Sequence, residues 1–520
     1  MLKNTLRLVL ASLGLMAAGA FAAEKVEVVI DAQKPGPVIN KNVYGQFAEH
    51  LGAGIYGGLW VGPDSRIPNT KGWRNDVVGA LKNLKVPVVR WPGGCFADEY
   101  HWREGIGPRA NRPVKVNTNW GGVEETNAVG THEFFDLAEM LGVETYVNGN
   151  LGTGSAQEMA EWLEYMTGEG KSTLADLRRK NGREKPFKVD YFTIGNEAWG
   201  CGGNMSPEFY TNLYKQYAAF LKAPAHNTPK LVASGGTVGH EEWTEYLSAN
   251  VKPQWSLRMD AISFHFYTLP TNEWKVKGMA TNFPEKEWIS TFKQTWRMDG
   301  FIADAKKTLD KNDPEKKVGF YVDEWGTWYD VEPGTNTGFL YQQNSLRDAL
   351  VAAINFNIFH KYADRVHMTN IAQMVNVLQA MILTKDDKMI LTPTYYAFDL
   401  YKPFQDATSL PTNINYNTTY TLGDVSVPGV SASAARGKDG KLYLALVNTN
   451  PREVVEVAVN VAGAKVSSAK GRILTSPFMD AHNTFEKPDA IKPAPFSTPA
   501  KNGKLSVELP AKSVVVVAVE

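Results

Sequence analysis

From residue 43 to residue 371, short β-branched runs alternate with longer amphipathic stretches. The runs are Val43–Glu49, Val86–Arg90, Glu144–Asn148, Tyr191–Glu197, Lys230–Gly235, Ala261–Tyr267, Val318–Glu324 and Val366–Ile371. Their length, and the Gly or polar residues around them, predict buried strands. Between them, Thr131–Leu141, Gln157–Met166, Pro207–Leu221 and Leu340–Tyr362 carry apolar residues at three- and four-residue steps, which predicts helices. Thr131 suits an N-cap, and Ser206 followed by Pro207 suits one better. A doubly wound sheet shares this local pattern. Eight alternations over about 350 residues instead favour a (β/α)8 TIM barrel.

Beyond Lys402 the helical period vanishes. Val425–Ala434, Leu442–Asn448, Val454–Val461, Leu505–Leu509 and Ser513–Val519 read as strands, with a turn at Lys438-Asp439-Gly440. Pro and Asn gather between Pro477 and Pro499 and predict a long loop across an all-β, jelly-roll-like sandwich. Val26–Ile30 alternates like a strand but precedes the barrel, so we assign it to the sandwich. Ahead of it, Lys3 and Arg7 precede the apolar run Leu8–Ala18, and Ala20-Phe21-Ala22 resembles a signal-peptidase site. At about 11 residues the run is too short to span a bilayer, which takes ~20. The expected organisation is a signal peptide at 1–22, an N-terminal strand segment at 23–40, the barrel at 41–395 and the sandwich at 396–520, in a protein exported to the periplasm or the medium.

Composition narrows the function. The 55 basic residues balance the 55 acidic ones, so no net field draws the chain to nucleic acid or an anionic bilayer, and no integral membrane segment is expected after removal of the leader. The nine His show no HExxH or facial-triad spacing, so no metal site is expected. Gly93-Gly94 and Gly202-Gly203 lack the strand–GxGxxG–helix context of a dinucleotide site, and no cofactor is expected. The 14 Trp, 21 Tyr and 23 Phe suit a protein that stacks rings on sugars, provided some of them border the chemistry.

In a (β/α)8 barrel the active site gathers where the strands end. The first run ends Glu49-His50 and the second continues Arg90-Trp91-Pro92-Gly93-Gly94-Cys95. The fourth ends Gly195-Asn196-Glu197, the sixth His265-Phe266-Tyr267 and the seventh Asp323-Glu324-Trp325. Glu197 and Glu324 thus face one mouth from nearly opposite strands. Glycosidic hydrolysis needs such a pair, one acid for the leaving oxygen and one carboxylate to attack the anomeric carbon or to activate water.

Six blocks in order, YGQFAEHLG (44–52), VRWPGGCFADEYHWREGIGPRANRP (89–113), IGNEAWGCGGNM (194–205), SFHFYT (263–268), VDEWGTWYD (322–330) and NIAQMVNVLQAM (370–381), resemble the α-L-arabinofuranosidases of glycoside hydrolase family 51. The resemblance implies a retaining, exo-acting enzyme on arabinose-containing polysaccharides and oligosaccharides. It makes Glu197 the general acid/base and Glu324 the nucleophile. Glu49, Asn196 and Gln379 match positions that bond the furanose hydroxyls. His265 and Tyr267 match residues that orient the two carboxyls, Arg90 keeps Glu324 ionised, and Trp120 and Trp328 match pocket aromatics. The resemblance also implies a homo-oligomer, a hexamer.

Cys95 stands where a sugar-binding Asn is expected, which withdraws an amide from that position. Cys201 lies on the same mouth, and export would permit a Cys95–Cys201 disulfide. An endo-β-1,4-glucanase or xylanase shares the catalytic pair, and a non-catalytic carbohydrate-binding protein is the alternative of another class.

Overall fold

The computed structural model describes residues 25–254, 257–501 and 504–520, so the expected signal peptide lies outside the described residues. The first strand, β1 (Lys25–Asp31), belongs to the second domain. The next eight close a parallel barrel in chain order: β2 (Gly45–Phe47), β3 (Val88–Trp91), β4 (Glu144–Gly149), β5 (Tyr191–Ile194), β6 (Lys230–Ala233), β7 (Ala261–Thr268), β8 (Gly319–Thr327) and β9 (Val366–Ala372). Each of the eight β-branched runs supplies one of them, as expected. Helices cover the outside, among them α1 (Thr131–Leu141), α2 (Ala156–Thr167), α3 (Pro207–Phe220) and α4 (Leu346–Lys361). Helix α3 starts on the predicted signal, with the Ser206 side chain accepting from Phe209 N and Pro207 in the first turn. Helix α4 starts six residues later than its periodicity suggests. Leu340 is left-handed (φ 50°) and Ser345 N donates to Asp348 Oδ2 at 2.7 Å, which places the helix start there.

Inside the barrel, alternate residues of each strand point to the axis. Val88, Tyr146, Tyr191, Tyr321 and Met368 are among those that form a buried apolar floor. Two residues further along, Arg90 of β3 and Asp323 of β8 stand above that floor. Strict alternation would then turn Glu324 outward. The pairing of β8 slips by one residue on both sides, from Ser263–Tyr321 to His265–Glu324 against β7 and from Val322–Thr369 to Trp325–Ile371 against β9. This bulge lets Asp323 and Glu324 both face inward. It also sends Trp325 outward onto Phe356, Phe359 and Phe398.

The second domain is a continuous run of strands folded into two faces. Its strands are β10 (Thr408–Leu410), β11 (Thr412–Tyr416), β12 (Val430–Arg436), β13 (Leu442–Asn448), β14 (Val455–Ala462), β15 (Ser468–Leu474), β16 (Ala494–Lys501), β17 (Lys504–Leu509) and β18 (Ser513–Val519). They run in the order β10-β12-β13-β18-β15-β16-β17-β14-β1-β11. Two details depart from the sequence pattern. Residues 425–434 do not form one strand, because Val425–Pro428 pairs with Thr419–Leu422 in its own hairpin. The Pro-rich stretch is not all loop, because β16 pairs with β15, with Pro495 opposite Arg472 and Pro499 opposite Ser468. Prolines donate no ladder hydrogen bond, which hides such a strand from pattern reading.

Strand β1 runs parallel to β14 and antiparallel to β11. Val26, Val28 and Ile30 are fully buried in the sandwich core, each worth about 1.5–3 kcal/mol on burial. Strand β18 serves two cores. Val515 and Val517 face the sandwich interior, while Val514 and Val516 pack into the main cluster with the barrel helices. The two domains therefore share a strand's two faces rather than a linker. Val28→Asp would bury an unpaired carboxylate between β14 and β11, at a cost of about 3 kcal/mol or more. We expect a denaturant melt to shift to clearly lower concentration. A midpoint equal to that of the parent chain would contradict the placement of β1.

Candidate active site

The site is built on one buried cation. Arg90, 1% exposed, donates through Nη1 to Glu324 Oε1 (2.8 Å) and to the Asp323 carbonyl (3.2 Å), and through Nη2 to Asn196 Oδ1 (2.6 Å). Its Nε lies 3.7 Å from Asp323 Oδ2, and its guanidinium covers the Phe47 ring at 4.5 Å. Glu324 Oε2 accepts from the Tyr267 hydroxyl at 2.8 Å. Both oxygens of Glu324 are thus held by donors.

Glu197 is held differently. After β5 the chain turns through Gly195 (φ 80°) and Glu197 itself (φ 39°), a left-handed conformation unusual for a residue with a side chain. The turn is closed by Gly200 N and Gly202 N donating to the Glu197 carbonyl at 2.7 and 3.1 Å. Glu197 Oε1 meets His265 Nδ1 at 2.8 Å, and His265 Nε2 meets Asp323 Oδ1 at 3.1 Å. Asp323 also accepts from the Tyr146 hydroxyl at 2.7 Å. One oxygen each of Glu197 and Glu324 lies with His265 in a group whose atoms are all within 4.8 Å of one another.

The other expected residues divide. Glu49 Oε1 accepts from Gly94 N, Phe96 N and Trp120 Nε1 at 3.0–3.1 Å, so the end of β2, the β3 loop and Trp120 meet there. Trp328 packs edge-on to Tyr267 at 4.9 Å, and both join Trp120, Phe47 and Leu51 in one apolar wall. Gln379 is fully buried and its amide is engaged with protein, accepting from Thr327 N (2.8 Å) and donating to the Asp348 carbonyl (2.8 Å). It braces the end of β8. Cys95 is bonded to Cys201, with 5.5 Å between their Cα atoms, so its sulfur has no thiol to offer a ligand. That bridge lies against Glu197 Oε2, at 3.5 Å from Cys201 Sγ.

Three supporting residues lie outside the sequence expectation. Asp98 accepts from Leu151 N (2.7 Å), Gly152 N (3.0 Å) and Asn196 N (3.0 Å), tying three loops together. Gln373 donates to Glu49 Oε2 at 3.1 Å and accepts from Glu49 N at 3.2 Å. Asp323 carries the ion pair beneath His265 and Arg90. Asp98, Asp323 and Gln373 each lie inside a quoted block, but each acts on the backbone or on another side chain, which a strand-end scan for reactive groups does not reveal.

Glu197, His265 and Glu324 are also a grouping of metal-ligand types. Both His265 nitrogens already face carboxylates, so the ring is committed before any ion arrives.

Comparison with known proteins decides the family. Residues 80–287 match the α-L-arabinofuranosidase 1 domain and residues 323–513 the α-L-arabinofuranosidase C-terminal domain. A protein of Bacteroides ovatus named an intracellular exo-α-L-arabinofuranosidase is 48% identical over 511 residues, covering 98% of each chain. The chain belongs to the α-L-arabinofuranosidases of glycoside hydrolase family 51.

The crystal structure of the family 51 arabinofuranosidase from Xanthomonas axonopodis pv. citri superposes with a TM-score of 0.93 at 50% identity, covering 95% of this chain and all of that one. The arabinose complex of the Thermotoga maritima α-L-arabinofuranosidase gives 0.83 at 30% identity, over 95% and 99% of the two chains. Family 51 membership sets aside the glucanase and the non-catalytic alternatives. Among the described residues no helix is long and apolar enough to cross a membrane.

One expectation is corrected: export does not stand. The Bacteroides ovatus relative, aligned over nearly the whole chain, is named intracellular. Two basic residues and a short apolar run record local hydrophobicity, which by itself does not determine the compartment in which a chain works.

The electrostatics of this family 51 site follow from burial. Glu197 has its pKa raised, first by burial and then by the charge of Glu324, while bonding to His265 opposes the rise. Burial alone would lower His265, but Glu324, Asp323 and Glu197 push it up to about 10, so it is a cation at neutral pH. Burial likewise tends to lower Arg90, and Asp323 and Glu324 more than offset it. Glu49 rises from 4.5 to about 7, through burial and then the charge of Glu324.

A carboxyl whose pKa is higher in the folded chain binds its proton more tightly there. Its contribution to stability is therefore full below about pH 4.5 and declines as pH rises to about 7. We expect the fall in melting temperature between about pH 5 and pH 8 to be shallower in Glu49→Gln than in the parent. An equal or steeper fall would contradict the placement of Glu49.

Proposed function

We propose that the chain is a retaining, exo-acting hydrolase that removes terminal non-reducing α-L-arabinofuranosyl residues from arabinoxylan, arabinan and arabino-oligosaccharides by double displacement. The observation that carries the mechanism is the approach of the two carboxylates to within 4.8 Å, oxygen to oxygen. Retaining glycosidases hold their carboxyls about 5–5.5 Å apart, whereas inverting ones need about 6.5–9.5 Å to admit a water. The exo mode is supported by the name of the Bacteroides ovatus relative, and the neutral charge suits an uncharged glycan.

The two carboxylates divide the work by their surroundings. Glu324, bonded to the Arg90 cation and the Tyr267 hydroxyl, is the anion that attacks the anomeric carbon and forms the glycosyl-enzyme ester. Glu197, whose proton is held by burial and by the neighbouring negative charge, gives that proton to the departing glycosidic oxygen. In the second half it takes a proton from water, which attacks the same carbon and frees Glu324. His265, bonded to Glu197 and Asp323, fixes the acid's orientation. Asn196 spends Oδ1 on Arg90, and with one Nδ2 hydrogen facing Cys201 Sγ at 3.8 Å it has the other for a sugar hydroxyl. Glu49, Trp120 and Trp328 complete the furanose pocket.

Glu197→Ala is expected to lower turnover of natural arabinosides by about 10²–10⁴-fold and that of aryl arabinosides with good leaving groups far less, with azide restoring part of the loss. Equal losses on both without azide rescue would overturn the acid/base assignment. Glu324→Ala should abolish turnover of both, so appreciable residual activity contradicts the nucleophile. The alkaline limb of kcat/KM reports the loss of the Glu197 proton. Because the His265 cation holds that pKa down, His265→Gln should move the limb to higher pH. A shift to lower pH would break the link between the two residues.

A further inference from the structure

The mouth of the barrel carries an aromatic that the furanose pocket does not use. Trp274 stands in the loop after β7 with 59% of its surface exposed, alongside exposed Val276 and Met279. Leaving a large apolar ring in water forgoes its burial, and an exposed apolar patch on a soluble enzyme marks a contact surface.

The loop that presents it is braced. Thr271 Oγ1 donates to the Val276 carbonyl and accepts from Glu273 N at 3.1 Å. Lys277 N and Gly278 N donate to the Asp330 carboxylate at 3.2 Å each, and Asp330 N returns a bond to the Gly278 carbonyl at 2.9 Å. Arg297 Nη1 holds Asn272 Oδ1 at 2.8 Å. The ring is thus offered on a loop fastened to the segment that follows β8.

Its position relative to the chemistry is defined by a run of contacts. Tyr267 bonds Glu324, its ring meets Trp328 edge-on at 4.9 Å, and Trp328 meets Trp274 at 5.3 Å with an interplanar angle of 88°. An edge contact of this kind occupies at most one face of Trp274, so an indole face stays open. The leaving group departs on the Glu197 side, because Glu197 supplies its proton. Glu197 follows β5 and is bonded to His265 of β7, the strand that runs into the Trp274 loop. What lies beyond the cleaved bond therefore passes out over this part of the rim.

We propose that Trp274 is a stacking platform for the sugar residues of the main chain that carries the arabinosyl group, outside the pocket that holds the arabinose itself. The ligand class is an uncharged pyranose or furanose chain, whose apolar C–H face lies on the indole. The inference rests on the function proposed above and deepens it, by locating where the polymer is recognised.

The test compares Trp274→Ala and Trp274→Phe on methyl α-L-arabinofuranoside, whose aglycone is a single carbon, and on xylo-oligosaccharides bearing one arabinofuranosyl branch. The ratio of kcat/KM for the oligosaccharide to that for the methyl glycoside is expected to fall about ten-fold in Trp274→Ala, mainly through KM, with Trp274→Phe recovering most of it. A ratio within about two-fold of the parent's overturns the platform. Should the parent sediment as an oligomer and Trp274→Ala as a smaller species with the ratio unchanged, the patch is a contact between copies of the chain and the platform is overturned as well. A parent enzyme that cleaves neither glycoside brings down the proposed function itself, an outcome separable from loss of the platform alone.

Discussion

Everything at the mouth depends on the neutralisation of charge that the barrel has removed from water. Arg90, Asp323, Glu324 and His265 are almost completely buried, and any one of them alone would be costly there. Together they alternate in sign, with Arg90 against Asp323 and Glu324, and His265 between Asp323 and Glu197. Asp323 and Glu324 each lie within ion-pair distance of both cations. Though fully buried, the Asp323 carboxyl stays below the usual range because Arg90 and His265 outweigh the cost of burial. A substitution at Asp323 would take from Arg90 and His265 one of the two carboxylates they share, so its effect would reach Glu197 and Glu324 through their partners.

The arrangement requires Asp323 and Glu324 to face the same way, which a regular strand forbids. The bulge in β8 resolves the conflict, and it is supported from outside by Trp325, which it drives into the aromatic cluster beneath α4. The support continues into the second domain. Trp288 Nε1 donates to the Thr449 carbonyl at 2.9 Å, and β18 presents valines to both cores. A strand with one face in each domain transmits packing directly, so the sandwich acts as a buttress for the helices that back β8.

Much of this was legible in the residues. The eight barrel runs announced themselves because parallel strands are buried on both faces and read as continuous β-branched stretches. The paired glutamates followed from their place at strand ends. The bulge was not legible, since DEW within a strand looks like simple alternation until pairing on both sides is known. Asp98 and Gln373 were hidden for a related reason: they accept from backbone N–H groups or hold another side chain, and loop geometry decides which groups those are. Gln379 matched a sugar contact by position, yet folding engages its amide with β8 and Asp348. Strand β16 was masked by its prolines, and the composition of residues 1–22 misdirected the expectation about compartment.

The disulfide gives the asymmetry between the two carboxylates its last element. Sulfur atoms bonded to each other carry no hydrogen, so the Cys95–Cys201 bridge beside Glu197 Oε2 occupies space that a donor would otherwise fill. Glu324 has a donor at each oxygen, but Glu197 has one, His265, at Oε1. An oxygen facing sulfur gains little from ionising, and burial with the nearby negative charge then favours keeping the proton. The pattern reading noticed Cys95 as an amide missing from the sugar's surroundings. In the folded site a half-cystine in place of an amide bears on proton affinity as well as on sugar contact, because it removes a possible donor from the neighbourhood of Glu197, the carboxyl proposed as the acid.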